Sequence, residues 1–256
     1  MDKTLIVIPY CSEGAQGREL EYAVAGWRRH FKDPYLIVLA GEDHPITRTG
    51  DDICCVPSPR VAPRDNQYRQ HLDYVSCFKK VREAFPDTAG YVRVGDDCYA
   101  VRDFTLDDIL TPKTIGETGK NSFSAPGTWQ GDKQRTRAAL EASGYTTHNY
   151  TTHLPQFFEW DKMAALWERY GMDRVSYVDE DLYYNIYEGD LPAVNVHAEP
   201  QPYKCGVYRS NPDVATIEAA FGNKVWITNS PVGWVPQLDM MLDQYYNDAG
   251  TWVFKK

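Results

Sequence analysis

The sequence predicts an α/β fold in which a mostly parallel central sheet is flanked by helices within a single domain. In the first hundred residues, short apolar runs alternate with segments whose apolar residues recur at helical spacing. Strands that alternate with helices in this way form parallel sheets covered on both faces. The chain has 256 residues, of which 43% are hydrophobic and 25% charged, and this composition suits one large globular domain.

Four mostly apolar runs predict the strands of this sheet, at residues 5–8, 35–39, 52–56 and 91–94. Continuous apolar runs of four to eight residues are typical of strands buried on both faces. The first run stops at a proline, the third is the weakest, and the fourth leads directly into a pair of aspartates.

Apolar residues at three- and four-residue spacing predict the helices. Two such helices lie between the strands, and the second half of the chain is less regular, with four further helices and one short strand at residues 193–197. The helical patterns cover residues 20–31, 72–85, 160–170, 178–188, 214–221 and 238–245. No segment reads as a linker, so we expect one domain over residues 1–256.

Cysteine spacing, charge and hydropathy exclude several classes of protein. None of the six cysteines forms a Cys-x-x-Cys pair, so reduced thiols in a cytoplasmic protein are expected rather than a zinc site or a disulfide scaffold. No apolar run reaches the roughly 18 residues of a membrane helix, and the first residues lack a signal-peptide pattern. The net charge of −9 does not favour nucleic acid as a partner, although a local basic patch is compatible with it.

The most informative local feature is Gly95-Asp96-Asp97, where the fourth strand ends. Burying unpaired carboxylates is costly, so these two should be exposed, paired or bound to a cation. Mg²⁺ and Mn²⁺ prefer carboxylate oxygens and bridge to substrate phosphates. A polar turn is the alternative, because Gly-Asp-Asp is also favourable in β-turns.

The segment from Tyr91 to Val101 resembles the acidic metal motif of GT-A glycosyltransferases, in which two or three aspartates end a central strand and a short strand follows. Its local pattern is similar to that of Stealth-type and related capsule or phage sugar transferases. The resemblance implies a Mn²⁺ or Mg²⁺ cofactor, with Asp97 as the better ligand and Asp96 supporting the metal through water or contacting the ribose. Gly95 stands where the family has its first acid, which is a departure.

The ends of the first two strands resemble the nucleobase site of the same family. The loop carrying Pro9, Tyr10, Ser12 and Glu13 follows the first strand, and Glu42 follows the second. The resemblance implies that Tyr10 stacks on the base of the nucleotide and that the polar residues hydrogen-bond to it. Ordinary turn residues at strand ends are the alternative at each position.

Three basic residues are expected near the phosphates of the donor. The planar guanidinium of Arg64 suits a pyrophosphate, and Lys204 is placed to reach the leaving diphosphate. GT-A enzymes often have a metal-binding histidine late in the chain, which implies His197 as a third metal ligand. Each has a structural alternative. Arg64 would lie beside a helix cap, Lys204 would be a solvated lysine, and His197 would be an ordinary histidine at the end of a strand.

Three consecutive acids open the predicted helix at residues 178–188. Inverting GT-A enzymes have a Glu-Asp pair at the start of a helix below the acceptor, and Glu180-Asp181 resembles it, with Asp181 implied as the general base. Acids in a first turn also stabilise a helix through its dipole, which is the alternative. His153, in a segment similar to the His-x-Pro segment of Stealth-type chains, and Trp129 are candidates for contacts with the acceptor.

The resemblance runs through most of the chain and implies that residues 1–101 hold a nucleotide-diphosphate sugar while residues 102–256 hold a carbohydrate or other hydroxyl acceptor. We therefore expect a metal-dependent glycosyltransferase, with inversion at the anomeric carbon. Three alternatives stay open at this stage: a Stealth-type sugar-phosphate transferase, a phage-type transferase that glycosylates a modified DNA base, and a nucleotide-sugar or carbohydrate-binding protein without catalysis.

Overall fold

The computed structural model describes residues 3–42, 50–63, 65–119 and 129–247, which form ten strands and eight α-helices. The strands are β1 (Thr4–Tyr10), β2 (Tyr35–Gly41), β3 (Ile53–Pro57), β4 (Gly90–Arg93), β5 (Cys98–Ala100), β6 (Lys113–Thr114), β7 (Gln156–Glu159), β8 (Val194–Asn195), β9 (Lys204–Val207) and β10 (Trp226–Asn229). The helices are α1 (Glu19–His30), α2 (Arg69–Ala84), α3 (Leu106–Leu110), α4 (Trp129–Ala142), α5 (Trp160–Arg169), α6 (Asp179–Tyr187), α7 (Val214–Asn223) and α8 (Pro236–Asn247).

The central sheet has the strand order β3-β2-β1-β4-β7, in which all neighbours are parallel except β4 and β7. This confirms the predicted α/β class. Alternate residues of β1 pack into different cores: Val7 lies with α2, α5 and α6 on one face, and Ile6 and Ile8 lie with α1 on the other. Burial on both faces explains why these strands are continuously apolar in the sequence.

A second sheet, β5-β10-β9, lies on the far side of α1, and α1, α7 and α8 pack against it. Its strand β5 comes directly after the aspartate pair and runs antiparallel to β10. Strand β5 belongs to residues 1–101, and its neighbour β10 belongs to residues 102–256. Strand β7, also from residues 102–256, completes the central sheet. Both halves of the sequence therefore contribute strands to both sheets. These strands have only three or four residues, too few for a clear period in the sequence.

The predicted helices from the apolar pattern are all present, with boundaries shifted by a few residues. Helix α4 was not predicted, since its sequence is largely polar and its inward residues include Asp132 and Thr136. The strand expected at residues 193–197 is limited to Val194–Asn195, so His197 lies in the turn that follows.

The six cysteines are free thiols, as expected from their spacing. Within the described ranges, none of the helices combines the length and apolar character needed to cross a bilayer.

Candidate functional site

A cleft of about 860 Å³ opens at the carboxyl ends of β1, β2 and β4. Parallel strands end at the same edge of a sheet, and ligands of open α/β sheets bind beyond that edge. Nine of the residues singled out from the sequence line this cleft: Pro9, Tyr10, Glu13, Glu42, Asp96, Asp97, Trp129, His153 and Glu180. Ser12, Asp181, His197 and Lys204 are not part of its wall, and Arg64 lies outside the described residues.

The aspartate pair occupies the turn between β4 and β5. The Asn229 N–H donates to the Asp97 carbonyl over 3.2 Å, which ties the turn to β10. Burial, together with the nearby Asp97 and Glu19 carboxylates, raises the pKa of Asp96 to about 7. The turn therefore carries more negative charge than its surroundings compensate.

Gly95 has a steric reason to lack a side chain. A Cβ at this position would lie 2.3 Å from Asp97 Oδ1, far inside van der Waals contact. The Asp97 carboxylate thus occupies the space that a side chain at position 95 would fill. The absence of a side chain at Gly95, where the GT-A motif has its first acid, therefore leaves room for the Asp97 carboxylate.

A buried polar network supports the turn from behind. Glu19 accepts hydrogen bonds from the Asn229 side-chain amide and from the Gln16 N–H, each over 2.7 Å. The Tyr99 hydroxyl donates to Asn229 Oδ1 over 2.5 Å. Since Asn229 also donates its backbone N–H to Asp97, one residue connects the start of α1, strand β5 and the acidic turn.

His153 lies beside the aspartate pair. Its Nδ1 lies 3.5 Å from Asp97 Oδ2, and its backbone has a φ of 59°, which is uncommon for a residue other than glycine. Lys204 is buried, and its ammonium donates to the Thr152 carbonyl over 2.5 Å. Lys204 therefore fixes the backbone beside His153 and does not face the cleft, and burial lowers its pKa to about 8.

Arg60, which the sequence reasoning missed, joins the loops after β1 and β2. Its Nη2 donates to Glu13 over 2.8 Å and to the Cys11 sulfur over 2.7 Å, and its Nε lies 3.2 Å from Glu42. Both acids expected to bind the base thus share one guanidinium. Arg60 belongs to a polar segment without periodicity, so only the fold brings it to them.

Arg93, the last residue of β4, is the second basic residue that the sequence reasoning missed. Its guanidinium is 6% exposed; Nη1 donates to Asp179 over 2.6 Å and Nη2 contacts Glu180. It also lies 4.7 Å above the Phe158 ring. The available signal was the charge itself, since an arginine in a buried strand requires a partner.

The first turn of α6 presents its acids in different directions. Asp179 and Glu180 line the cleft beside Arg93. Burial raises the pKa of Glu180, and the Asp179 carboxylate adds to this rise while Arg93 opposes it. Asp181 is completely buried; its Oδ1 accepts the Tyr150 N–H over 2.6 Å, and burial raises its pKa to about 7.

Helix α4 holds the segment that leads into α6. Asp132 accepts the Ser176 hydroxyl over 2.5 Å, and Thr136 accepts the Val178 N–H over 2.8 Å. At the start of the same helix, the Trp129 side chain is 50% exposed at the rim of the cleft. The Lys133 ammonium lies 5.1 Å from the centre of the Trp129 ring. The exposed part of this side chain offers an aromatic surface of the kind that packs against sugar rings.

Carboxylates outnumber basic residues along the cleft. Eight acids line it, Glu13, Glu42, Asp73, Asp96, Asp97, Asp132, Asp179 and Glu180, against three arginines, Arg60, Arg69 and Arg93. All three arginines have carboxylate partners. Among the described residues, no lysine or arginine lies within 4 Å of the carboxylates of Asp96 or Asp97.

The described residues include no cluster of three or more His, Cys, Asp or Glu side chains arranged as a metal site. His197 is exposed in its turn near Lys204, and it does not reach the cleft wall. Mg²⁺, however, usually binds one or two carboxylates together with substrate phosphates and water. Asp96 and Asp97 are partly exposed, and among the described residues no lysine or arginine lies within 4 Å of their carboxylates, so the pair fits that kind of site.

No protein-family model matches the sequence, and no curated protein matches it either. Two similar solved structures are both glycosyltransferases. One is a glycosyltransferase involved in the glycosylation of the major capsid of PBCV-1, with 11% identity, a TM-score of 0.43 and coverage of 96% of this chain and 99% of that one. The other is the apo form of the bifunctional WbbM, with 10% identity, a TM-score of 0.41 and coverage of 89% of this chain.

This chain spans 45% of the WbbM chain, which is less than half its length. Both are likenesses of overall fold at low identity.

Proposed function

We propose that the chain is a metal-dependent glycosyltransferase that moves a sugar from a nucleotide-diphosphate sugar to a hydroxyl acceptor. One observation carries the proposal: Asp96 and Asp97, without a lysine or arginine partner among the described residues, share a cleft at the carboxyl edge of the sheet with the α6 acid Glu180. The cleft is acidic, so a polyanionic diphosphate would require a cation to bind beside this pair.

Asp97 and Asp96 would hold Mn²⁺ or Mg²⁺. A bound cation would neutralise the charge that develops on the leaving diphosphate. The chain's own contribution is to present two carboxylates on a turn that Asn229 and the Glu19 network hold in place. Preorganised ligands of this kind reduce the cost of binding the donor.

The loops after β1 and β2 would bind the nucleoside. Tyr10 lines the cleft with an aromatic face for the base, and Glu13 and Glu42 offer carboxylate oxygens for ribose or base groups. Arg60 orders both acids, so the two loops would act as one unit. Ser12 lies on the loop after β1 and is exposed, but it is not part of the cleft wall.

Glu180 would accept the proton of the attacking hydroxyl, because it is the member of the Glu180-Asp181 pair that faces the cleft. A raised pKa brings this carboxylate closer to neutral pH, where a general base is most effective. Attack on the face opposite the diphosphate would give an inverted product. Asp181 would serve by fixing the Tyr150 backbone below this helix.

The acceptor would be a carbohydrate or another hydroxyl compound that packs against Trp129. Nucleic acid is not favoured, because eight carboxylates along the cleft would repel phosphates in the absence of bound cations. Transfer of a sugar phosphate would use the same donor site, and detection of a phosphodiester in the product would distinguish it from glycosyl transfer.

The test is a calorimetric titration with UDP, GDP, ADP and CDP, each with and without Mn²⁺. We expect one nucleotide to bind tightly only when Mn²⁺ is present. Asp97→Ala should abolish the Mn²⁺-dependent binding of this nucleotide and the turnover of the corresponding sugar donor. It should leave the melting temperature unchanged. Asp87→Ala, at an exposed position, is the control. Binding of none of the four nucleotides under either condition would contradict the proposal.

A further inference from the structure

Within the proposed glycosyltransferase function, on which this inference rests, we propose that the acceptor is a neutral oligosaccharide and that Tyr68, His71 and Tyr177 form its binding subsite beside Glu180. All three side chains line the cleft. Tyr68 lies directly before α2, His71 lies in the first turn of that helix, and Tyr177 lies just before α6. None of the three has a role in the donor site described above.

The first observation is that one guanidinium, that of Arg135 on α4, contacts both tyrosine rings. Its Cζ lies 5.2 Å from the centre of the Tyr68 ring and 5.7 Å from the centre of the Tyr177 ring. The guanidinium is fixed in turn, because it donates to Asp132 over 2.9 Å and to the Ser176 carbonyl. Rings that are held before a ligand arrives lose little side-chain entropy on binding, and the C–H surfaces of sugars pack against aromatic rings.

The second observation is a nitrogen atom of the cleft wall that lacks a partner. The His71 imidazole is hydrogen-bonded to the backbone of Met172, while its Nε2 is buried and has no hydrogen-bond partner among the described residues. Burial lowers the pKa of His71, so the ring is neutral at pH 7 and its unbonded nitrogen is an acceptor. An acceptor buried without a partner is costly, and the O–H of a bound sugar would satisfy it.

The third observation is the position of this subsite relative to the proposed base and to the rim. Glu180 follows Tyr177 by three positions, so their Cα atoms are at most about 11 Å apart. At the other end, Trp129 precedes Asp132 by about 4.5 Å along the axis of α4, and Asp132 accepts the Ser176 hydroxyl over 2.5 Å. The aromatic lining therefore continues from Tyr177 towards the exposed Trp129, which suits consecutive units of an oligosaccharide.

The charges around the subsite favour a neutral glycan. The carboxylates of Asp132, Asp179 and Glu180 line this part of the cleft. The guanidiniums of Arg93 and Arg135 are already paired with these acids. A uronic acid, a sialic acid or a phosphorylated sugar would therefore bring a negative charge close to carboxylates, which is unfavourable.

The test uses the whole chain on an array of neutral, sialylated and uronic-acid oligosaccharides, in the presence of Mn²⁺ and the four nucleoside diphosphates of the preceding titration. Calorimetric titration with the oligosaccharides that bind then compares Tyr177→Ala, Tyr177→Phe and His71→Asn with the wild type. Asparagine keeps an amide near the position of Nδ1 and removes Nε2. Tyr145→Ala is the matched control, because Tyr145 is also half-buried with a guanidinium, that of Arg169, 5.8 Å from its ring centre, and it is not part of the cleft wall.

We expect neutral oligosaccharides to bind, with affinity lowered by ~10-fold in Tyr177→Ala and by ~5-fold or more in His71→Asn. Tyr177→Phe and Tyr145→Ala should retain the wild-type affinity, and His71→Asn should retain the melting temperature, so that it decides the question if Tyr177→Ala is unstable.

Binding of acidic glycans only, binding of no glycan, or unchanged affinity in both Tyr177→Ala and His71→Asn would overturn the inference. The Mn²⁺-dependent nucleotide titration of the wild type separates the two failures. Nucleotide binding without glycan binding would refute the acceptor subsite alone, whereas the absence of nucleotide binding would refute the proposed function itself.

Discussion

Arg93 Nη1 lies 2.6 Å from Asp179 Oδ2, which joins the last residue of β4 to the first residue of α6 inside the protein. Because Asp96 follows Arg93 by only three positions, this ion pair fixes the distance between the acidic turn and the acids of α6. The two groups that the proposed reaction needs, one beside the leaving diphosphate and one beside the acceptor, are thus positioned through a single buried guanidinium.

Replacing Arg93 with Met should lower the free energy of unfolding by about 3–5 kcal/mol, because it leaves the Asp179 and Glu180 carboxylates buried without their partner. Urea denaturation of the purified variant measures this change. Arg82→Ala is the matched control, since Arg82 makes an ion pair of 2.6 Å with Asp161 in which both side chains are exposed. Such a pair contributes about 1 kcal/mol or less, and equal losses in the two variants would contradict the structural role given to Arg93.

Glu180→Gln should reduce kcat by about 10²–10⁴-fold, the usual contribution of a general base, and leave binding of nucleotide and Mn²⁺ unchanged. Glutamine retains the shape of the side chain, so its effect is on proton transfer. Steady-state kinetics with saturating donor and acceptor is the measurement. Asp181→Asn is the comparison, and it should retain kcat within a few-fold; the reverse result would assign the base to Asp181.

The stability of the wild type should fall between about pH 4 and pH 7 through Asp181. Burial raises the pKa of this carboxyl to about 7 in the folded chain, above the value of about 3.9 in an unfolded chain. The folded state holds the proton more tightly, so the contribution is complete below pH ~4 and is lost as pH rises through 7.

Asp181→Asn removes this titration and keeps an acceptor for the Tyr150 N–H. Unfolding free energies of both proteins from pH 4 to pH 8 should therefore diverge, with the wild type declining more steeply, by at most about 1.4 kcal/mol per pH unit. Parallel curves would show that Asp181 does not titrate in this range.

Gly95→Ala should lower the affinity for Mn²⁺ and the turnover of donor by about 10-fold or more, because the added Cβ displaces the Asp97 carboxylate from its place. The fold should be retained, since the conflict is with the end of a side chain that can rotate. Gly222→Ala, where a Cβ meets no atom within 4 Å, is the control. Full Mn²⁺ affinity in Gly95→Ala would show that Asp97 does not need its present position.

Much of the fold was predictable because the central strands are buried on both faces. Residues such as Val7 and Ile8 must then all be apolar, and continuous apolar runs are visible without alignment. The strand β5 was implied only by the resemblance of the segment that contains the aspartate pair, and β10 was not predicted, because three or four residues carry too little pattern. Helix α4 was not predicted either, because it covers the loop before α6 with polar contacts such as that of Asp132.

The sequence by itself determined that a parallel sheet ends in a pair of aspartates and that three acids open a later helix, since both features depend on neighbours along the chain. Only the tertiary structure decided which of these acids face a common cleft. Side-chain direction and burial depend on long-range packing, and so do the partners Arg60 and Arg93, which come from segments distant in sequence. The same is true of His153, which lies 56 positions from Asp97 yet within 3.5 Å of its carboxylate.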